Sequence, residues 1–284
     1  MTTINWYPGH MAKATRELKN QLKKIQLVIE VLDARIPYSS QNPTLKTLIE
    51  HKPRLILLNK KDLADPQHTH HWSTLFNQEK NSHCIAINAL KKTDMKAIIA
   101  YCETQLNTKK TAYQRLNVMI SGIPNVGKSQ LINQLSGKKS AKVANRPAVT
   151  QHQQWVQLSN TVYLMDTPGI LWPKFESEEV GVHLAMTGAI KDHIFNTEDI
   201  AFKLLEYLQQ HYPTSLQNRF KLTTIPSDLI ELMEAIGRQR HCLERGGTID
   251  FEKTYQLILQ DFRSGKLGKI SLEQSSENKN LSFT

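Results

Sequence analysis

The sequence predicts an α/β fold in which a mostly parallel sheet with flanking helices is followed by a small all-α domain. Two observations carry this prediction. Within residues 1–175, five short apolar runs alternate with polar loops and helical patterns, which is typical of a parallel sheet with helices between its strands. From residue 176 onward only helical patterns occur. The predicted division is therefore 1–175, 176–273 and a polar, disordered tail at 274–284.

Length and composition limit the class of protein. The chain has 284 residues, enough for one large or two ordinary domains. No apolar run approaches membrane-spanning length, and the first residues lack the apolar core of a signal peptide. A cytoplasmic protein without integral membrane association is expected. Cys84, Cys102 and Cys242 lie far apart in the chain, which favours reduced cysteines over a disulfide framework or a zinc site.

Charge is distributed unevenly along the chain. The formal net charge is +10, but residues 1–175 hold 24 basic against 10 acidic residues, whereas residues 176–284 hold 12 against 16. A basic half predicts a polyanionic partner, and RNA is favoured over a membrane because no lipid-anchoring segment is visible. A merely solvated, charge-rich surface is the alternative that composition leaves open.

Hydrophobic periodicity places the elements of the first domain in chain order. An apolar stripe between Met11 and Ile25, surrounded by lysines and Arg16, predicts a basic N-terminal helix. Five apolar runs predict buried strands, at 27–33, 54–58, 83–87, 116–121 and 161–165. The intervening patterns predict helices near 43–51, 94–106 and 130–135.

Three amphipathic helices are predicted in the second domain. Each follows a residue suited to cap a helix N-terminus, namely Asn196 or Thr197, Ser227 and Asp250. Because this domain is acidic overall, it must contact RNA through local basic clusters. Two such clusters are predicted, one of Arg238, Arg240 and Arg245 and one of Arg263, Lys266 and Lys269.

The segment at 122–129 carries the most informative motif. It reads G-I-P-N-V-G-K-S, fits G-x-x-x-x-G-K-[ST], and lies between a predicted strand and a predicted helix. In that context the backbone N–H groups and the helix N-terminus bind phosphates, Lys128 reaches the β- and γ-phosphates, and the Ser129 hydroxyl binds Mg²⁺. A tight turn with an exposed lysine is the alternative. The predicted nucleotide-binding residues are Asn125, Val126, Gly127, Lys128, Ser129 and Gln130.

A second motif predicts that the base is guanine. Residues 59–62 read N-K-K-D directly after a predicted strand. The Asp62 carboxylate can accept from guanine N1–H and the 2-amino group, neither of which adenine offers. Asn59 is expected to hydrogen-bond the base edge and the loop, and the Lys60 stem to pack on the ring. Lys61 completes the motif, and a weaker pattern after the third strand adds Asn88 and Ala89 to the predicted base site.

The end of the fifth predicted strand supplies a candidate metal and γ-phosphate loop. Residues 166–169 read D-T-P-G, and a D-x-x-G loop follows a strand in many nucleotide triphosphatases. Asp166 is expected to hold Mg²⁺ through a water molecule, and the Gly169 N–H to meet the γ-phosphate. Thr150, together with Ser129, would complete the metal shell. An ordinary hydrophilic loop is the alternative.

The motifs occur in an unusual order. Ordinary GTPases have the P-loop first and N-K-x-D later, whereas here the base-recognition half precedes the P-loop. A closed α/β domain tolerates this rearrangement if its original termini lie close together and are joined, and the polar stretch at 107–115 would join them. The predicted fold is therefore a circularly permuted P-loop GTPase domain, from which the chain leads directly into the helical domain.

These motifs make the chain resemble the ribosome biogenesis GTPase A family, the YlqF type of circularly permuted GTPase. The resemblance covers nearly the whole chain. It includes W-Y-P-G-H-M-A-K-A at 6–14, D-A-R-I-P-Y-S-S-Q-N-P at 33–43 and D-F-R-S-G-K-L-G-K-I-S-L-E at 261–273. It implies a GTPase that assists late assembly of the large ribosomal subunit and binds precursor particles and their rRNA, not DNA, in the GTP state. Ala148 departs from the family loop, which usually has glycine there.

The catalytic group is less evident from the sequence. The position after D-x-x-G, where many GTPases carry a glutamine that orients water, is Ile170. The resemblance nominates His10 as the catalytic residue and matches Asn125 to an asparagine that binds K⁺ in similar GTPases. His152, just past Thr150, is a weaker alternative for catalysis. The resemblance implies slow turnover that the ribosomal particle and K⁺ stimulate. An RNA-binding scaffold with structural GTP and vestigial hydrolysis is the competing hypothesis.

Overall fold

A six-stranded sheet organises the first half of the molecule. The computed structural model describes residues 19–108, 115–137, 154–167, 171–172 and 175–274. The strands are β1 (Leu27–Asp33), β2 (Arg54–Asn59), β3 (Ser82–Ala86), β4 (Leu116–Gly122), β5 (Gln154–Gln157) and β6 (Val162–Asp166). They lie in the order β3-β2-β1-β4-β6-β5, and every pairing is parallel except that of β5 with β6. The predicted mostly parallel sheet is confirmed.

Helices flank the strands and then make up the second half of the chain. Those of the first half are α1 (Pro43–Ile49), α2 (Pro66–Gln78), α3 (Lys92–Thr108) and α4 (Lys128–Ser136). Those of the second half are α5 (Glu178–Met186), α6 (Thr197–His211), α7 (Pro213–Phe220), α8 (Leu229–Gln239) and α9 (Phe251–Arg263), with a short 3₁₀ turn at Asp192–Ile194.

The sheet is buried on both faces. All seven residues of β1 are buried, because α3 and α4 cover one face of the sheet and α1 and α2 cover the other. Alternation along β1 shows the two faces: Ile29 and Val31 join the α3 side, whereas Val28 packs with α1 and Leu32 with α2. A strand buried on both faces reads as a continuous apolar run, which is why residues 27–33 were predictable.

One apolar cluster extends from the sheet into the helical half. It includes residues of β1 and β4 and continues through Val182 and Leu184 of α5 to Leu204 of α6 and Ile258 of α9. Asn196 and Asp250 cap α6 and α9 as predicted, whereas Asp228 rather than Ser227 caps α8. The division into domains at residues 175 and 176 stays a prediction.

Four elements were not predicted from the sequence. Helix α2 carries many polar side chains and buries only Thr69, Trp72 and Phe76. Helix α5 has no polar face, because every residue from Val180 to its end is buried. Strand β5 and helix α7 are short. The apolar pattern on which prediction depends is therefore sparse in α2, without a polar face in α5, and short in β5 and α7.

Among the residues that the structure describes, no helix is both long enough and apolar enough to cross a bilayer.

Candidate functional site

The site lies where the parallel strands end. Because β2, β1, β4 and β6 are adjacent and parallel, their carboxyl ends meet at one edge of the sheet, where α/β proteins bind ligands. Register places Asp33 opposite Asn59 and Ile120 opposite Asp166. The structure thus brings the predicted P-loop, the N-K-K-D loop and the start of the D-x-x-G loop to the same edge.

Close backbone approach explains the glycines of the P-loop. A Cβ atom on Gly122 would lie 2.4 Å from the Val31 carbonyl oxygen, and one on Gly127 would lie 2.4 Å from Asn59 Nδ2. Gly127 also has φ of 101° at the start of α4, a left-handed conformation that glycine adopts without strain. No side chain caps this helix N-terminus, so the first-turn amides, including those of Ser129 and Gln130, are suited to bind an anion.

Lys128 lies at the centre of the P-loop. It is buried, and its ammonium group donates to the carbonyl oxygens of Gly122 at 2.8 Å and Ile123 at 3.1 Å. Burial lowers the pKa of Lys128 to about 8, and the negative charge of Asp166 opposes this shift. A buried ammonium that lies among loop carbonyls next to uncapped amides has the chemistry that a triphosphate requires.

Asn59 joins three loops of the site. Its Nδ2 donates to the Val126 carbonyl at 2.8 Å, and its Oδ1 accepts from the Ala89 backbone N–H at 3.0 Å. The predicted contact of Asn59 with the base edge stays a prediction. The side-chain bonds seen here go to the P-loop and the loop after β3, so Asn59 acts as a bridge that fixes both loops against the N-K-K-D segment.

Lys60 belongs to a buried charge network. Its ammonium lies 2.8 Å from Asp33 Oδ2, and Arg35 binds both oxygens of the same carboxylate at 2.9 and 2.8 Å. Burial favours the neutral form of Asp33, but the charges of Arg35 and Lys60 outweigh it and hold the pKa of Asp33 well below its ordinary value. Arg35 also reaches the Phe262 carbonyl at 3.4 Å and stacks over the Phe262 ring. The lysine of the base-reading motif is thereby connected to α9.

The rest of the base-reading region is also held in place. Lys61 pairs with Asp94 at 2.9 Å and donates to the Ala86 carbonyl. Asp94 in turn accepts from the Asn88 backbone N–H at 2.8 Å. Asp62, between these anchored neighbours, is exposed. An exposed carboxylate on a restrained loop is suited to read the edge of a base.

Asn125 connects the P-loop to the helical half. It has φ of 57°, and its Nδ2 donates to the Gly188 carbonyl at 2.8 Å, just beyond α5. The P-loop and the end of α5 are therefore in direct contact. Asp166, at the end of β6, is buried, and the neighbouring Thr167 hydroxyl donates to the Ile120 carbonyl of β4 at 2.7 Å.

Three predicted site residues fall outside the described part of the chain. They are His10, the predicted catalytic residue, Thr150, the predicted metal ligand, and Gly169, the predicted γ-phosphate contact. Ile170 and His152 also fall outside it. Their predicted roles stay predictions.

Arg263 does not have the free side chain that an RNA-binding cluster requires. It donates to the carbonyls of Ala185 and Met186 at 2.8 and 3.0 Å, and it pairs with Asp192 at 2.8 Å. The prediction that Arg263 offers its charge to RNA is therefore wrong: the guanidinium satisfies the C-terminal carbonyls of α5. Arg238, Arg240 and Arg245 are exposed, as the other predicted cluster requires.

Several residues at the site were missed by sequence reasoning. Arg35, Gly188 and Glu273 carry contacts between loops that are far apart in the chain. Arg35 and Glu273 lie within segments that carry the family resemblance, and that resemblance was the only sign of their importance in the sequence. No local pattern indicates which residues either side chain contacts.

The residues present fit a guanine nucleotide with Mg²⁺. The phosphate side has the uncapped amides of α4, the Lys128 ammonium and glycines at positions where a Cβ would collide. The metal side has the Ser129 hydroxyl and the Asp166 carboxylate, both oxygen donors of the kind that Mg²⁺ prefers. This set of residues, at the carboxyl edge of a permuted sheet, defines a P-loop GTPase.

Comparisons with known proteins give the same class. A family model described as "50S ribosome-binding GTPase" matches residues 117–230. The GDP-bound structure of TM YlqF is similar to this chain with a TM-score of 0.69 at 27% identity, covering 92% of this chain and 100% of that one. A GNP-bound YlqF from T. maritima gives a TM-score of 0.66 at 27% identity, covering 92% and 98%.

Curated relatives are more similar still. The chain is 48% identical to ribosome biogenesis GTPase A of Bacillus cereus, over 96% of this chain and 95% of that protein. It is 47% identical to the protein of the same name from Priestia megaterium, over 97% and 98%. The chain therefore belongs to the ribosome biogenesis GTPase A family, and it binds and hydrolyses GTP.

Proposed function

We propose that this protein is a cytoplasmic assembly factor for the large ribosomal subunit that binds precursor particles and their rRNA in its GTP state. The observation that carries the proposal is the hydrogen bond from Asn125 of the P-loop to the Gly188 carbonyl. Arg263 of α9 holds the same turn through Ala185 and Met186. A change in the P-loop between the GTP and GDP states can therefore act directly on the helical half, which would present the particle-binding surface.

The nucleotide is proposed to lie across the carboxyl edge of the sheet. Residues 125–130 would hold the phosphates, Asp62 would read the guanine edge, and the Lys60 stem would support the base. Asn88 and Ala89 would close the base pocket, and Gly169 would contact the γ-phosphate. Mg²⁺ would be held by Ser129, Thr150 and, through water, Asp166, where it supplies charge stabilisation to the phosphates. Asn125 is proposed as a ligand for K⁺, which adds positive charge beside the P-loop.

Hydrolysis is proposed to depend on His10. Ile170 cannot orient water, whereas a neutral imidazole can accept a proton from it near physiological pH. His10→Ala should lower particle-stimulated turnover about 10²-fold or more, with GTP affinity unchanged. Single-turnover hydrolysis and fluorescent-nucleotide titration measure the two quantities. His70→Ala, which changes an exposed histidine on α2, is the matched control. Unchanged turnover in His10→Ala would exclude His10 and direct attention to His152.

Particle binding is proposed to combine general attraction from the basic half with local contacts from α8 and the turn after it. Arg238, Arg240 and Arg245 are exposed there. Neutralising all three to glutamine should weaken co-sedimentation with large-subunit particles and leave GTP affinity unchanged. The log–log salt dependence should flatten by roughly 0.7–0.9 per lost phosphate contact. Pelleting with a non-hydrolysable GTP analogue and with GDP measures binding in both states.

The control removes equal charge from other places. Lys191, Lys221 and Lys253 are exposed in the same half of the chain, and their triple glutamine variant should keep most of the binding. An equal loss in both triple variants would mean that only total charge matters. Equal co-sedimentation of the wild type with GTP analogue and GDP would reject the switch and favour the scaffold with structural GTP.

A further inference from the structure

Residues 270–273, named here the C-terminal segment, are buried although they form neither helix nor strand. Ile270 and Ser271 have no exposed surface, and Leu272 and Glu273 are 3% and 5% exposed. The segment follows α9 but does not pack only among the helices. It crosses to the carboxyl edge of the sheet and contacts the loops that follow β1 and β2.

Two hydrogen bonds join this segment to the base-reading loop. The Ile270 N–H donates to the Leu63 carbonyl at 2.9 Å, and the Asp65 N–H donates to Ser271 Oγ at 3.1 Å. Gly265 reinforces the contact, since a Cβ there would lie 2.5 Å from Leu63 Cδ2. The loop that carries Asp62 is thus held on its downstream side by residues some two hundred positions later.

A second set of bonds joins the segment to the loop after β1. The Leu272 N–H donates to the Arg35 carbonyl at 2.9 Å. The Glu273 carboxylate accepts from the backbone N–H groups of Tyr38 and Ser39, at 2.6 and 2.9 Å, and lies 3.2 Å from His183 Nδ1. This is the loop whose Asp33 fixes Lys60. The segment therefore restrains two loops: the one that carries Asp62, and the one after β1, which follows the Asp33 that holds Lys60.

The spacing of these anchors points to a function in nucleotide binding. Asp62 is exposed, yet Lys60 before it is tied to Asp33 and Leu63 after it is tied to Ile270. A carboxylate must be held in place before it meets two donors on one base edge, because a loop that is ordered only on binding loses affinity to conformational entropy. The C-terminal segment holds the loop that carries Asp62 in place before the nucleotide binds.

We propose that Ser271 and Glu273 are positioning residues for guanine recognition, acting through the loops that hold Asp62 and Lys60. The proposal rests on the proposed role of Asp62 in reading the base. It also implies the reciprocal effect: binding of GDP or GTP at the base site tightens the C-terminal segment by the same free energy. Because the contact is with the base and not with the γ-phosphate, both nucleotides are affected equally.

The test is nucleotide binding by Ser271→Ala and Glu273→Gln in the full chain. Loss of one buried hydrogen bond is expected to raise Kd for GDP and KM for GTP by about fivefold in Ser271→Ala. Glu273→Gln, which removes the charge and places an NH2 donor opposite one of the two backbone N–H groups, should raise both by about tenfold or more. The turnover number should not change, because the lost interaction supports substrate and transition state alike.

Matched controls separate positioning from general stability. Ser264→Ala removes a serine whose hydroxyl bonds within its own helix end, to the Gln260 carbonyl, and Glu252→Gln changes an exposed residue of α9. Neither should change Kd. In an Asp62→Asn background, Ser271→Ala should add little to Kd for GDP, since the base contact it supports is already lost. A purely structural role predicts additive effects instead.

Hydrogen exchange of the wild type supplies a measurement that needs no variant. GDP should slow exchange of the Ile270 and Leu272 amides, and ADP should not. If GDP leaves that exchange unchanged, or if Ser271→Ala binds GDP as Ser264→Ala does, the positioning proposal is overturned while guanine recognition stands. If wild-type protein binds GDP and ADP equally, the proposed role of Asp62 fails first, and the positioning proposal fails with it.

Discussion

Asp62→Asn should weaken GTP binding by 10²-fold or more and should improve binding of xanthosine triphosphate. The carboxylate is exposed on a loop whose neighbours, Lys60 and Lys61, are paired with Asp33 and Asp94. It can accept two hydrogen bonds from guanine, each of about 1.5–3 kcal/mol because the acceptor is charged. An amide offers a donor in its place, which suits the 2-carbonyl of xanthine. Competition of GTP and of xanthosine triphosphate against fluorescent GDP measures this change in base specificity.

Two measurements control this result. The thermal unfolding of nucleotide-free Asp62→Asn should match that of the wild type, since an exposed side chain away from the core contributes little to stability. ATP should bind weakly to both proteins. Equal affinity of the wild type for ATP and GTP would contradict the assignment of the base site.

Arg35→Met should lower the free energy of unfolding by about 3–5 kcal/mol, because it leaves the Asp33 carboxylate buried without its bidentate partner. Both side chains are 1–2% exposed, so water cannot replace the lost hydrogen bonds. The stacking of Arg35 over Phe262 is lost as well. Urea denaturation followed by circular dichroism measures the change.

The control for this prediction is Arg240→Met. Arg240 is exposed at the end of α8, and its replacement should change stability by no more than about 0.5 kcal/mol. If the two variants lose equal stability, the buried charge network does not contribute as described. Addition of Asp33→Asn to Arg35→Met should not recover the loss, because the Lys60 ammonium then loses its carboxylate partner as well.

The strands and the phosphate loop were predictable because their signals are local. Residues 27–33 and 54–59 are buried on both faces and therefore read as apolar runs, and the P-loop needs only eight consecutive residues. Helix α2 also carried a local signal, the Asp65 cap followed by Pro66, but its polar composition concealed the buried Trp72 and Phe76. Helix α5 gave no periodic signal, because it is surrounded by other elements.

The contacts between loops were not predictable from such patterns. Nothing in the residues around Asn125 indicates that its side chain donates a hydrogen bond to the Gly188 carbonyl. Nothing around Arg263 indicates that its guanidinium donates to a carbonyl at the end of α5. Both depend on how elements separated by more than sixty positions pack together. The prediction for Arg263 failed for that reason: a charge count records the residue but not its partner.

The strand order has a consequence for the synthesis of this protein. Chains emerge from the N-terminus and fold as their units become available. Here β1, β2 and β3 appear first, but β1 lies beside β4 in the finished sheet, so one edge of the early half remains uncovered until residue 122 is made. The base-reading loop is made earlier still and receives its last bonds from Ile270 and Ser271. In a nascent chain the loop after β2 therefore gains these bonds only once residue 271 has been made.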